Sequence, residues 1–235
     1  MRKKLLYCVI VLMLFASCAG RQKGDIASVR RNDDATFRID HLEGGGHGTA
    51  VVLDRSGYLL TCHHVAFDRK GKMRGLVVNI AVGNQPAVAY PVQVLAYDKG
   101  LDLAVLKVDF RFPIAVRLGR DRDAHLLDAV YAVGFPFDLG RMAAYGRIKN
   151  ANWNDRSRSV KNGLVIDFSD GNGMSGSGVF LARSGDLIGT LHLMIPARDD
   201  GRIVSDNRQA RVRVAVPVGM IRTFLDRKRI PYHGN

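Results

Sequence analysis

Cysteine, acidic residues and long apolar runs are all scarce in this chain. Its 235 residues include 3 cysteines, and no CxxC or HExxH pattern occurs. The sequence therefore indicates neither a disulfide framework nor a metal site, and it calls for no cofactor. The apolar run at 5–15 is too short to favour a membrane-spanning helix. With 47% hydrophobic residues, the chain has the composition of a folded domain.

The start of the chain has the features of an export signal. Basic residues at 2–4 precede the apolar run 5–15, which ends in small residues before Cys18. This order resembles a bacterial lipoprotein signal. We expect cleavage after residue 17 and lipidation of the Cys18 thiol, which would attach the protein to the cell envelope, with Ala19 favouring the outer membrane facing the periplasm. Secretion with an unmodified cysteine is the alternative.

Basic residues outnumber acidic ones by 35 to 22, which gives a formal net charge of +13. They are scattered and match no nucleic-acid-binding motif, so no specific nucleic-acid partner is predicted. Attraction to anionic lipid surfaces and a solvated basic face without a specific partner both stay open.

Short apolar runs separated by turn residues dominate the chain from Gly48 onward, which predicts an all-β barrel or sandwich. Residues 18–36 are polar and charged, which predicts a flexible tether. The region 217–228 has helical spacing, and Pro217 suits a first helical turn. The strand candidates are residues 50–53, 58–61, 76–82, 90–97, 103–108, 129–134, 163–168, 177–182, 187–194 and 211–216.

Three segments carry residues suited to nucleophilic catalysis. His64 follows a strand-like run, Asp102 begins a later one, and Ser175 lies in a glycine-rich turn. Serine is a weak nucleophile that needs a base, imidazole has a suitable pKa, and a carboxylate can orient the imidazole. Glycines beside the serine allow backbone N–H groups to converge on one point, as an oxyanion hole requires.

The order and surroundings of these segments resemble the trypsin-like serine peptidases, in particular the bacterial HtrA-like branch. Several segments in the family's order carry the resemblance. They are Gly48-Thr49-Ala50-Val51-Val52, His64-Val65, Asp102-Leu103-Ala104-Val105-Leu106-Lys107, Val133-Gly134-Phe135-Pro136, Gly173-Met174-Ser175-Gly176-Ser177 and Leu187-Ile188-Gly189.

The resemblance implies a peptidase domain over residues 37–235, made of two six-stranded antiparallel β-barrels at about 37–120 and 121–216 and a C-terminal helix at 217–228. Gly178 stands where many relatives have proline. We expect no PDZ-like domain after residue 217, and the oligomeric state stays open.

The same resemblance implies the roles of the site residues. His64 would be the general base and then the general acid, Asp102 its orienting partner and Ser175 the nucleophile. The backbone N–H groups of Gly173 and Ser175 would form the oxyanion hole.

Each triad residue has a competitor nearby. His63 adjoins His64, Asp98 precedes Asp102, and Ser177 follows Ser175. The family spacing favours the three residues named above.

The residues that would line the primary substrate pocket are Asp170 on one side and Thr190 and His192 on the other. His192 is similar to the histidine with which glutamate-selective relatives bind an acidic side chain, but its spacing from Ser175 is longer. Two other possibilities stay open. The pocket could be small or medium-sized and apolar, or Asp170 could favour a basic residue of the substrate.

These features predict a serine endopeptidase that acts on protein or peptide substrates of the envelope or the extracellular space. The alternative is a catalytically silent trypsin-fold module that binds proteins or holds them in a chaperone-like way.

Overall fold

Two closed six-stranded antiparallel barrels make up the computed structural model, which describes residues 26–81, 86–154, 159–168, 171–196, 198–199, 202–203 and 211–234. This confirms the predicted all-β fold class. The leader at 1–17 and Cys18 lie outside the described residues. Among the described residues, no helix is long and apolar enough to span a bilayer.

The first barrel has the strand order β1-β2-β3-β6-β5-β4 and closes where β4 pairs with β1. A short helix, α2 (His63–Ala66), follows β3 directly. The strands are β1 (Thr36–His41), β2 (His47–Asp54), β3 (Tyr58–Cys62), β4 (Leu76–Ile80), β5 (Val88–Asp98) and β6 (Leu103–Val108).

The second barrel has the strand order β10-β11-β14-β9-β8-β7 and closes where β10 pairs with β7. Helix α3 (Val218–Arg227) follows its last strand and confirms the predicted C-terminal helix. The strands are β7 (Ala129–Gly134), β8 (Met142–Trp153), β9 (Gly163–Ile166), β10 (Gly178–Leu181), β11 (Leu187–Pro196) and β14 (Arg211–Pro217), and a separate two-stranded pair comprises β12 (Arg198–Asp199) and β13 (Arg202–Ile203).

Several strands are continuous apolar runs because one face of the strand points into the barrel and the other is covered by neighbouring parts of the protein. In β6, five of the six residues are buried, so its sequence shows no polar alternation. The β2–β3 hairpin turns at Gly57, whose φ of +102° favours glycine. A side chain there would also strike the carbonyl oxygen of Val108. The hairpin turn therefore lies directly against the end of β6. Strand β3 leads straight into α2, which carries His64.

The segment 26–34, which we expected to belong to a flexible tether, is instead helix α1 (Ile26–Asp34). Polar contacts hold it in place. The buried Asn32 side chain donates hydrogen bonds to the Tyr131 hydroxyl and to the Gly185 carbonyl oxygen, both at 2.8 Å. Because β1 of the first barrel begins two residues after α1, this helix ties the start of the first barrel to the second. A composition argument could not detect a helix that docks through polar groups.

Strands β1 and β8 were absent from the strand candidates. The pattern of β8 is mostly exposed or half-buried, with polar residues such as Arg147 and Lys149 along it. A strand in a barrel can be this polar when only a few of its side chains face the core, and hydrophobic alternation then fails to mark it.

Replacement of Asn32 by alanine should lower the free energy of unfolding by about 1–3 kcal/mol, because a buried carbonyl loses its hydrogen-bond donor. Urea unfolding of the purified protein measures this change. Arg30→Ala, at an exposed position of the same helix, is the control and should change stability by no more than about 0.5 kcal/mol. Equal stability of the two variants would contradict the docking of α1.

Candidate active site

His64 lies in the first turn of α2, where the end of β3 directs it into the space between the barrels. Its Nδ1 lies 2.8 Å from Oδ2 of Asp102. Its backbone N–H donates to the other carboxylate oxygen, Oδ1, at 3.0 Å. The imidazole therefore has a fixed orientation, and with 45% of its side chain exposed it can meet a substrate. Since a carboxylate only accepts hydrogen bonds, Nδ1 carries the proton and Nε2 has a lone pair available for a proton.

Asp102 ends the turn between β5 and β6, and its side chain is only 2% exposed. Its φ of +58° places it in the left-handed region, which aspartate tolerates better than most residues. Its own carbonyl accepts the His63 amide at 3.0 Å, which joins this turn to α2. Burial opposes the charge, but the rings of His192 and His64 and the His64 backbone N–H outweigh it, so the pKa of Asp102 lies well below its usual value.

Ser175 follows a tight turn of the second barrel that the first barrel holds in place. The Thr49 amide donates to the Ser175 carbonyl oxygen at 2.9 Å, and the Thr49 hydroxyl donates to the Gly173 carbonyl oxygen at 2.8 Å. From the second barrel, the buried Arg213 side chain donates to the Gly171 carbonyl oxygen at 3.0 Å. Ser175 itself stays partly exposed. In the sequence, Thr49 is only one residue of the family pattern; in the structure, it binds the serine turn through both its amide and its hydroxyl.

The turn at Gly173 is held by a backbone hydrogen bond and by close packing. The Phe137 amide donates to the Asn172 carbonyl oxygen at 2.6 Å. In a trans peptide the N–H points away from that carbonyl, so this bond fixes the direction of the Gly173 N–H. Within the described residues, neither the Gly173 nor the Ser175 N–H donates to another protein group. Gly173 has a φ of +102°, and a side chain there would strike the Phe135 carbonyl and the His47 ring.

The three competing residues have surroundings that differ from those of His64, Asp102 and Ser175. His63 is buried and stacks on Phe67, with ring centroids 4.4 Å apart. Asp98 forms an ion pair with Arg227 at 2.9 Å. Ser177 is fully buried.

Of the residues predicted to line the substrate pocket, the two that the structure describes are buried. Asp170 lies outside the described residues. Thr190 is fully buried. The His192 side chain is also fully buried, with Nδ1 3.6 Å from Oδ2 of Asp102. The ring of His192 therefore lies beside the Asp102 carboxylate, where it presents no surface to a substrate.

A cleft of about 610 Å³ adjoins His64 and Asp102 on the first-barrel side. Three of the side chains that line it are basic, those of Arg69, Arg74 and Lys99. The cleft gives solvent, and therefore a polar ligand, access to the imidazole.

One cluster in the described part of the chain has the composition of a metal site. Cys62, His64 and Asp102 each offer a ligand atom, and these atoms lie within 4.8 Å of one another. Their existing contacts account for all three, because the Cys62 thiol donates to the Leu191 carbonyl oxygen at 3.1 Å and the other two are hydrogen-bonded together. We therefore assign no metal to them.

Known proteins share this fold and part of this sequence. The trypsin-like peptidase domain profile matches residues 48–189. Serine endoprotease DegS of Haemophilus influenzae is 30% identical over 171 residues, which cover 72% of this chain and 46% of DegS. The crystal structure of the serine endoprotease from Yersinia pestis has a TM-score of 0.66 at 25% identity and covers 86% of this chain and 65% of that one. For the HtrA-type protease AlgW with tripeptide, the TM-score is 0.68 at 25% identity, over 85% of this chain and 61% of the other.

The chain spans less than half the length of DegS. The profile match, however, covers more than half of this chain and includes His64, Asp102 and Ser175. With two closed six-stranded barrels and a C-terminal helix around these residues, the chain belongs to the trypsin-like peptidase domain family, and DegS and HtrA-type proteases are among its relatives.

Proposed function

We propose that the protein is a serine endopeptidase in which Ser175 is the nucleophile, His64 the general base and Asp102 its orienting partner. The observation that carries this proposal is the pair of hydrogen bonds, at 2.8 and 3.0 Å, through which His64 binds both oxygens of a buried carboxylate. Asp102 thereby holds one tautomer of His64 and stabilises the imidazolium that forms when the ring takes a proton.

The reaction is acyl transfer from a peptide bond to water. Ser175 Oγ attacks the substrate carbonyl carbon while its proton moves to Nε2 of His64. The N–H groups of Gly173 and Ser175 bind the resulting oxyanion. The C–N bond then breaks, His64 gives its proton to the leaving amine, and an ester with Ser175 remains. Water repeats the attack with His64 again as base, which releases the acid and restores the serine.

Cleavage of envelope or extracellular proteins and a lipid anchor at Cys18 complete the proposal. Its support is the basic start, the apolar run 5–15 and the small residues before Cys18, which together are typical of an exported lipoprotein. The relatives named as serine endoproteases support proteins or peptides as the substrate class.

Ser175→Ala should reduce cleavage of an unfolded protein substrate by at least about 10⁴-fold, because the ester can no longer form. It should also abolish labelling by a fluorophosphonate probe. Ser177→Ala is the matched control, since that serine is buried in the same turn, and it should keep the label. Labelling that persists in Ser175→Ala would contradict the assignment, and a folded wild-type protein that never labels would favour the silent binding module.

Gly173→Ala should lower kcat by about 10²–10³-fold, the usual effect of losing one oxyanion donor. The added methyl group would displace the turn, because it meets the Phe135 carbonyl and the His47 ring. Steady-state kinetics on a peptide substrate measure the change. Gly44→Ala has a similar positive φ but open space around it, so it controls for backbone strain alone. A Gly173→Ala enzyme as active as Gly44→Ala would contradict the assigned oxyanion hole.

A further inference from the structure

The cleft beside His64 is lined by three basic side chains that the proposed acyl transfer does not use. Arg69 and Arg74 come from the loop that follows α2, and Lys99 comes from the turn between β5 and β6. His64 itself lines the same cleft, which has a volume of about 610 Å³. An anion bound among these cations would therefore lie next to the general base.

The loop that carries the two arginines is held by its own backbone. Oδ1 of Asp68 accepts the N–H groups of Lys70 and Lys72, both at 2.8 Å. The Asp68 amide donates to the Lys72 carbonyl oxygen, and the Arg74 amide donates to the Ala66 carbonyl oxygen of α2, both at 2.9 Å. The two arginines therefore project from a backbone that is fixed to itself and to α2.

The carboxylates close to these cations are engaged elsewhere. Two of them line the cleft. Asp68 binds amides of its own loop, and Asp102 is buried against His64. Asp98, which precedes the lysine in the chain, pairs with Arg227 at 2.9 Å. Within the described residues, none of the three cations forms an ion pair. A cleft lined by cations without counter-charges attracts anions.

Arg74 is the most enclosed of the three, since Arg69 and Lys99 are exposed and Arg74 is half-buried. Its Nε is buried and has no hydrogen-bond partner in the part of the chain that the structure describes. Burial, and then the charge of Arg74, lower the pKa of His41. The guanidinium thus acts on a neighbouring base. A carboxylate interacts more strongly with a partly desolvated guanidinium than with an exposed one, because water screens the pair less.

We propose that Arg69, Arg74 and Lys99 form a substrate subsite that binds the carboxylate of an aspartate or glutamate side chain close to the scissile bond. This inference rests on the proposed peptidase function and gives that function a side-chain preference. The scissile carbonyl must meet Ser175 Oγ while Nε2 of His64 takes the proton. An extended peptide rises about 3.4 Å per residue, so side chains within about three residues of that bond can reach the cleft.

The test compares peptides that differ in one charge. Mass spectrometry of a peptide library cleaved by the wild type identifies the position at which acidic residues are enriched, and peptides with glutamate or glutamine at that position are then compared. We expect kcat/KM to be about 10-fold or more higher for the glutamate peptide, the range for a hydrogen bond between charged groups. Arg69→Gln and Arg74→Gln should each lower this ratio by about threefold or more.

Lys72→Gln is the matched control. It removes one positive charge from the same loop, but Lys72 does not line the cleft, so the ratio of the two rates should stay at the wild-type value. An equal loss in Lys72→Gln would mean that the net charge alone attracts acidic peptides, which would contradict the subsite.

Charge reversal gives a readout that a damaged fold cannot imitate. Arg69 is exposed, so Arg69→Glu should fold, and it should favour lysine over glutamate at the same position of the peptide. If the variant keeps the wild-type preference for glutamate, the proposal is wrong.

The remaining outcomes separate this proposal from the proposed function. An active wild type that cleaves both peptides at the same rate would overturn only the subsite. If inorganic phosphate inhibits that enzyme but not Arg74→Gln, the cleft binds a free anion and not a substrate side chain. A wild type that cleaves no peptide and does not label at Ser175 would overturn the peptidase function itself.

Discussion

The buried charge of Asp102 is the constraint on which the rest of the site depends. Removing an ionised carboxylate from water is strongly unfavourable unless donors replace the lost hydration. Here the donors come from His64, through its ring and its backbone, and the His192 ring lies beside them. Because α2 begins directly after β3, both the backbone N–H and the ring of His64 reach this carboxylate. The Asp102 backbone itself is left-handed, with a φ of +58°.

The nucleophile depends on the docking of the two barrels. Ser175 stands on the second barrel, yet its carbonyl oxygen is bound by the amide of Thr49 from the first. The Thr49 hydroxyl binds the Gly173 carbonyl oxygen, so one residue of β2 controls both the serine and the proposed oxyanion turn. Helix α1 adds a contact of the same kind through Asn32. The polar contacts between the barrels therefore bear directly on whether the three proposed catalytic residues lie in reach of one another.

The sequence revealed strands that form runs of apolar or β-branched residues, and it missed β8 and helix α1, which do not. Strands such as β6 are continuous apolar runs because both faces are covered, and such runs are visible in the sequence. Strand β8 is largely exposed and α1 docks through an asparagine, so neither has an apolar signature. The segments around His64, Asp102 and Ser175 were found because they resemble, in the same order, segments of the trypsin-like serine peptidases. The contacts of Thr49 could not be found in this way, since they join residues far apart in the sequence.

His192 shows how a β-bulge can give a residue surroundings other than those that the sequence pattern predicts. Side chains of a strand alternate between its two faces, so one extra residue exchanges the faces of everything beyond it unless a bulge absorbs the change. In β11 the bulge lies at His192 itself, and the pairing with β14 resumes at Leu193. The irregularity is therefore confined to a single residue, and regular pairing with β14 continues on either side of it. The histidine that we expected at the wall of a pocket lies instead beside the Asp102 carboxylate. Its buried ring is therefore not placed to bind an acidic substrate side chain.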